Sequence, residues 1–184
     1  MSIERRVQMR KGIIIYLNGV TSTGKTSIAK SIQELANQNF YYLSHDTFQS
    51  LISYKYLERD YWLYLSEAII CEYKTAKLLA EEGINVIIDG MILDKEEFIR
   101  YYNKSHYELL KDIFAESNLH MIEVFCPLEE CRRRNLERGD RYENQSYEQN
   151  LIMEKNIYYD YRVDTYKNTS NECTESILQH LELE

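Results

Sequence analysis

Apolar residues fall in short dense runs, separated by longer stretches of helical period. Ile13-Ile14-Ile15-Tyr16-Leu17 is an unbroken apolar run rich in β-branched residues, the pattern of a strand buried on both faces. Residues 25–38 then follow the helical period, with Ile28, Ile32, Leu35 and Ala36 on one face. Phe40 to Ser44 predicts a second strand ending at His45-Asp46, and Thr47 to Asp60 is mixed and aromatic. Tyr61 to Glu82 predicts a helix, with Leu65, Ala68, Ile69, Ala76 and Leu79 as core candidates and Gly83 as its stop. Ile84 to Asp89 is a third buried strand. Asp94, followed three places later by Glu97, resembles a capping box and predicts a helix towards Ala115. Leu119–Phe125 is a fourth strand and Leu128 to Arg138 a helix. Tyr147–Tyr159 is another helix, Arg162–Asp164 a short last strand and Glu172–Leu183 a closing helix.

Strands alternating with helices of this length predict an α/β fold, a parallel sheet covered on both faces. The 184 residues suit one domain spanning 1–184, with residues 1–11 as a loose arm. Hydrophobic residues at 44% and charged residues at 28% exclude disorder across the whole chain. A net charge of −8 argues against broad binding to nucleic acid or anionic membrane, while leaving room for a local basic site. No apolar run approaches a membrane span and no signal-type stretch follows the charged N-terminus, so the expectation is a soluble, cytoplasmic protein. The 4 Cys form no C-x-x-C pair and predict buried free thiols in a reducing compartment.

The decisive motif is Gly19-Val20-Thr21-Ser22-Thr23-Gly24-Lys25-Thr26, which fits G-x-x-x-x-G-K-[ST] throughout. It follows an apolar strand and opens an amphipathic helix, the context that its chemistry needs. Its glycines let the loop curl, so that backbone N–H groups converge on phosphate oxygens at a helix N-terminus. Lys25 would reach the β- and γ-phosphates, and the Thr26 hydroxyl would bind Mg²⁺.

In an open parallel sheet, ligands sit beyond the carboxyl ends of the strands. Asp46 follows the second strand and Asp89 ends the third, so both should face the crevice of the phosphate loop. Asp46 has two readings, a general base for an attacking hydroxyl or a helix N-cap before Thr47-Phe48-Gln49. Asp89 fits an acid that holds Mg²⁺. His45 beside them reads as a structural or surface histidine. In Cys131–Arg141 (CRRRNLERGDR), Arg134, Arg138 and Arg141 share a helical face, while Arg132 and Arg133 point elsewhere. The trio suits a mobile lid over transferring phosphate, because a guanidinium bonds two oxygens at once; the alternative is a solvated basic helix face paired with Glu129, Glu130 and Glu137. Tyr54, Tyr56, Tyr61, Trp62 and Tyr64 either stack on a flat acceptor or divide between core and surface.

With these pieces in place, the chain resembles the chloramphenicol phosphotransferase-like family of P-loop kinases. The resemblance runs from about Ile13 to Ile177. It rests on Leu17-Asn18-Gly19 entering the phosphate loop, Asp46, Ile87-Ile88-Asp89, Arg138-Gly139-Asp140-Arg141, and Tyr159-Asp160 with Val163-Asp164-Thr165. It implies an adenylate-kinase-like three-layer sandwich with a five-stranded parallel sheet and a mobile arginine-bearing lid over 127–146. It implies transfer of the γ-phosphate of ATP to a hydroxyl of a small molecule. Asp46 would then be the general base, with Lys25, Arg134, Arg138 and Arg141 stabilising the phosphoryl charge and Mg²⁺ at Thr26 and Asp89. A homo-oligomer is compatible with all of this. Two rival readings remain at this stage. One is a nucleotide or nucleotide-sugar kinase of zeta-toxin type, with the same core and base. The other is a non-catalytic nucleotide-binding switch, in which Asp46 and the lid arginines would be idle.

Overall fold

A computed structural model describes residues 10–183. The chain runs β1 (Ile13–Asn18), α1 (Lys25–Leu35), β2 (Phe40–Ser44), α2 (His45–Ser50), α3 (Tyr54–Leu57), α4 (Tyr61–Glu81) and β3 (Asn85–Gly90). It continues through α5 (Glu96–Tyr102), α6 (His106–Ile113), β4 (Asn118–Phe125), α7 (Leu128–Arg138), α8 (Gln145–Leu151), β5 (Tyr161–Asp164) and α9 (Ser170–His180). The five strands form one parallel sheet in the order β2-β3-β1-β4-β5.

Alternation along the central strand builds the layers. Ile13, Ile15 and Leu17 face one core with Ile28 and Ile32 of α1 and Ile177 and Leu178 of α9. Ile14 and Tyr16 face the other, with Leu65, Ile69 and Tyr73 of α4, Phe98 of α5 and Leu110 of α6. All six β1 residues are buried, which a strand covered on both sides by helices requires. The chain leaves β1 towards β2 and β3 on one side and returns to β4 and β5 on the other. The loop after β1 therefore opens into the crevice where strand order reverses. Among the described residues, no helix is long and apolar enough to cross a membrane.

Several expectations change in detail. The helix drawn from Asp94 to Ala115 is two helices. Asn103 caps α5 in the left-handed region (φ 55°), and Ser105 starts α6 with a true capping box to Glu108. Asp94 and Glu97 make no such box; the N-cap of α5 is Lys95, and the Asp94 amide donates to the Ile152 carbonyl at 2.7 Å. The helix drawn over Tyr147–Tyr159 starts earlier and stops at Leu151. The aromatic stretch 47–60 carries two short helices, α2 and α3. Cys126, Cys131 and Cys173 are buried, but Cys71 is exposed, and so is Leu35 of α1. Of the arm 1–11, residues 1–9 lie outside the described residues. Lys11 donates from Nζ to the Glu116 carbonyl at 2.7 Å.

Gly12 enters β1 with no room for a side chain, since a Cβ would lie 2.1 Å from the Ile84 carbonyl oxygen. Gly12→Ala is expected to cost about 1–3 kcal/mol through forced backbone displacement. Urea denaturation checks this; an unchanged midpoint would contradict the close approach.

Candidate active site

The phosphate loop spans Gly19–Gly24 between β1 and α1. A Cβ on Gly19 would lie 2.6 Å from the Val124 carbonyl oxygen, and Gly24 takes φ 99° as the N-cap of α1. No side chain caps this helix, so its first-turn N–H groups are offered to the crevice. Ser22 also has a positive φ, 62°, which turns its peptide within the loop. Lys25 folds back over the loop, donating to the Gly19 carbonyl at 2.8 Å and the Val20 carbonyl at 2.9 Å. Its Nζ lies 3.7 Å from Asp89 Oδ1.

Asp89 is in register with Leu17 of β1 and Ser44 of β2, which brings it directly beside the loop. Thr26 donates from Oγ1 to Asp89 Oδ2 at 2.6 Å. Two hard oxygen donors in contact at the phosphate end of the crevice fit a Mg²⁺ ion. Tyr42 donates to the same Asp89 oxygen at 3.0 Å, and its phenol is pushed up to about 12 by burial and then by the Asp89 charge.

The Asp46 ambiguity resolves in part. The N-cap of α2 is Ser44, whose side chain accepts from the Thr47 amide at 3.2 Å. Asp46 lies in the first turn, free of capping duty, and lines the crevice. Arg141 donates to its Oδ2 at 2.8 Å.

The arginine trio does not share one helical face. The helix α7 ends at Arg138, and Gly139 turns the chain in the left-handed region (φ 70°). Arg141 reaches the crevice from the loop beyond. Arg134 donates to the Thr165 carbonyl at 2.8 Å and to Thr165 Oγ1 at 3.1 Å, next to the phosphate loop. Arg138 lines the crevice with its guanidinium paired to Asp140. Arg132 pairs with Glu143 and Arg133 with Glu130 and Glu137, on the outer surface.

Three more side chains hold the loop, and the sequence alone did not single them out as site residues. Asn135, fully buried on α7, accepts from Ser22 Oγ at 2.7 Å. Gln149 of α8 accepts from the Thr21 amide. Thr165, a member of the Val163-Asp164-Thr165 piece, donates to the Thr23 carbonyl at 2.6 Å. A lone asparagine inside an arginine-rich helix was the available signal for Asn135; Gln149 offered none.

The crevice has a volume of about 1430 Å³. Beside the loop lie Lys25, Arg134 and Arg138. The same crevice is lined by Asp46 and by the apolar side chains of Trp62, Leu65, Ile69, Met91, Leu93 and Ile152, with Gln145, Glu148 and Gln149 among its polar residues. Of the five aromatic residues expected there, only Tyr61 and Trp62 line it. Tyr56 packs on Tyr64 at 5.4 Å, and Tyr54 is exposed beside a separate shallow groove.

Sheet order, phosphate loop and crevice define a P-loop kinase fold. The chain belongs to the chloramphenicol phosphotransferase-like protein family, whose model matches residues 12–182. A Mycobacterium tuberculosis (strain H37Rv) protein named as an O-phosphotransferase is 26% identical over 181 residues, covering 85% of this chain and 76% of the relative. Among solved structures, the APS kinase of Mycobacterium tuberculosis in complex with AMPPNP and APS aligns with a TM-score of 0.68 at 17% identity. That alignment covers 95% of this chain and 99% of the kinase. Shikimate kinase from Acinetobacter baumannii in complex with shikimate aligns with a TM-score of 0.63 at 14% identity, over 94% of each chain. Family and fold make the protein a phosphotransferase of the kinase class, with a nucleotide-binding phosphate loop.

Under the crevice, Glu72 of α4 is fully buried, and neither carboxyl oxygen has a hydrogen-bond partner. His45 Nε2 lies 3.5 Å from it. Burial, and then the Asp89 and Asp46 charges, hold the Glu72 carboxyl well above the usual range. An acid raised by folding contributes stability that is present below its unfolded pKa and lost as pH rises towards the folded value. Glu72→Gln removes that loss. Its stability relative to the natural chain is expected to grow steadily as pH rises from about 5 into the neutral and mildly alkaline range. Urea midpoints measured across that range check it, and a difference independent of pH would contradict the buried carboxyl.

Proposed function

We propose that the protein transfers the γ-phosphate of ATP to a hydroxyl group of a small, uncharged molecule. The observation that carries this reading is that Asp46, the phosphate loop and the apolar side chains of Trp62, Leu65 and Ile69 line one crevice. An acceptor seated on Trp62, Leu65 and Ile69 would present its hydroxyl to Asp46, with the phosphate loop on the far side.

The hydroxyl oxygen forms a bond to the γ-phosphorus as the bond to the β,γ-bridging oxygen breaks, and ADP leaves. The proton of the hydroxyl passes to Asp46 Oδ2 after Arg141 releases that oxygen. Lys25, now bonded to loop carbonyls, swings onto the β- and γ-phosphoryl oxygens. Arg134, Arg138 and Arg141, carried by a lid over residues 127–146, spread the charge of the transferring group. Mg²⁺ held by Thr26 and Asp89 would neutralise the charge between the β- and γ-phosphates.

The chemistry of the acceptor wall favours an acceptor without phosphate of its own. Among the described residues, the lysines and arginines of the crevice are Lys25, Lys30, Arg134, Arg138 and Arg141. In this reading Arg138 and Arg141 are taken up by the transferring phosphoryl group, and Lys25, Lys30 and Arg134 lie along the loop and α1 side. Lys95 Nζ rests over the Trp62 ring at 4.3 Å. A phosphorylated acceptor would need a guanidinium or ammonium free to clamp it. The relative's name, an O-phosphotransferase, agrees with a hydroxyl acceptor.

The test is ADP release from Mg-ATP with a panel of amphenicols, aminoglycosides, nucleosides, nucleotides and nucleotide sugars. One class of neutral alcohol is expected to stimulate release, and Asp46→Asn to lower that stimulated rate by about 10²–10⁴-fold. Stimulation by a nucleotide or nucleotide sugar instead would move the chain to the nucleotide-kinase reading. Release that no acceptor stimulates, and that Asp46→Asn leaves unchanged, would favour a nucleotide-binding switch. In the same assay, Lys25→Ala is expected to lose about 10²–10³-fold in kcat, the scale for removing one donor to developing charge.

A further inference from the structure

His45 stands between the proposed base and the floor of the crevice. It opens α2 and is the covalent neighbour of Asp46. The segment after β3 supplies the floor through Met91 and Leu93. Each of its backbone N–H groups meets a fixed acceptor. Met91 donates to His45 Nδ1 at 3.3 Å, Ile92 to Asn18 Oδ1 at 2.9 Å, and Leu93 to His106 Nδ1 at 2.9 Å.

A backbone N–H can only donate, so Nδ1 of both imidazoles carries a lone pair, and the ring proton sits on Nε2. On that side His106 Nε2 lies 2.6 Å from the Tyr73 hydroxyl, which lies 2.9 Å from the Tyr16 hydroxyl. The Tyr16 hydroxyl in turn lies 3.3 Å from His45 Nε2. The two histidines are thus joined twice, through the Met91–Leu93 backbone and through two buried tyrosines. Glu72 faces the same His45 nitrogen. Gly90 lets the ring approach, because a Cβ there would lie 2.4 Å from Nε2. Burial keeps both rings neutral: His45 is lowered to about 4, and His106 well below its ordinary value.

We propose that His45 is a positioning residue for phosphoryl transfer: its Nδ1, held as an acceptor by the Met91 N–H, fastens the acceptor floor to the helix that carries Asp46, and its Nε2–H faces the Tyr16 hydroxyl. The residue touches neither phosphate nor the reacting oxygen in this role. It sets the distance between base and floor, and a misplacement of 1 Å at such a site costs on the order of 10²-fold. The proposal rests on the phosphotransferase reading with Asp46 as base.

Two measurements test it. Long-range ¹H–¹⁵N NMR of the natural chain at neutral pH reads the tautomers without any reaction. Both His45 and His106 are expected as Nε2–H; an Nδ1–H or imidazolium form at His45 overturns the proposal. Steady-state kinetics then use the acceptor that stimulates ADP release. His45→Leu is expected to lose about 10–100-fold in kcat/KM for the acceptor, with KM for Mg-ATP and acceptor-independent hydrolysis within about twofold. His45→Asn, which returns an oxygen acceptor near the Nδ1 position, is expected to recover most of the loss. Acceptor kinetics unchanged in His45→Leu, an equal loss in Mg-ATP binding, or no recovery in His45→Asn overturns it. If His45→Leu does not fold, the comparison of His45→Asn with the natural chain and the tautomers decide. An Asp46→Asn enzyme with full activity would sink the reaction reading while leaving the tautomer result standing.

Discussion

The hydrogen bond from Thr26 Oγ1 to Asp89 Oδ2, 2.6 Å long, is the contact on which the site depends. It joins the first turn of α1 to the end of β3 and so fixes the phosphate loop against the strand next to β1. Lys25 and Tyr42 converge on the same carboxylate, at 3.7 Å and 3.0 Å. A buried carboxylate is costly unless donors surround it, and here the donors are the groups that a nucleotide and its metal require. The structural need of Asp89 and its proposed chemical use are therefore met by one arrangement.

The lining of the crevice is of two kinds. Lys25, Arg134 and the first-turn N–H groups of α1 lie at the phosphate loop, and Trp62, Leu65 and Ile69 of α4 line the same crevice. Asp46 forms an ion pair with Arg141, and its side chain is 73% exposed. Pairs of such exposure contribute about 0–1 kcal/mol, so Arg141 can exchange this partner for a phosphoryl oxygen at little cost. Gly139, with a left-handed φ and no atom within 4 Å of where a Cβ would lie, ends α7 in an open turn that leads to Arg141.

Buried parallel strands read as continuous apolar runs, which made β1 and β3 legible, and all five strands were placed within a few residues although β5 buries only Val163. The phosphate loop was legible because its glycines and lysine are required by local geometry. The split between α5 and α6 was less so. Its signal, Ser105 with Glu108, was present but was overshadowed by a similar spacing at Asp94. The face shared by Arg134, Arg138 and Arg141 held only up to Gly139, where the helix stops and spacing no longer maps to direction. Asn135, Gln149 and Tyr42 reach the site through tertiary contacts that no local pattern encodes. The same is true of the pair of histidines, whose meaning appears only once Met91 and Leu93 are seen to donate to them.

The central claim is that a P–O bond forms to an acceptor held against Asp46. The most direct measurement is ³¹P NMR of a reaction containing enzyme, Mg-ATP and the stimulating acceptor. A new phosphomonoester resonance growing in equal amount with ADP is the predicted result. ADP accompanied by inorganic phosphate alone would contradict the account.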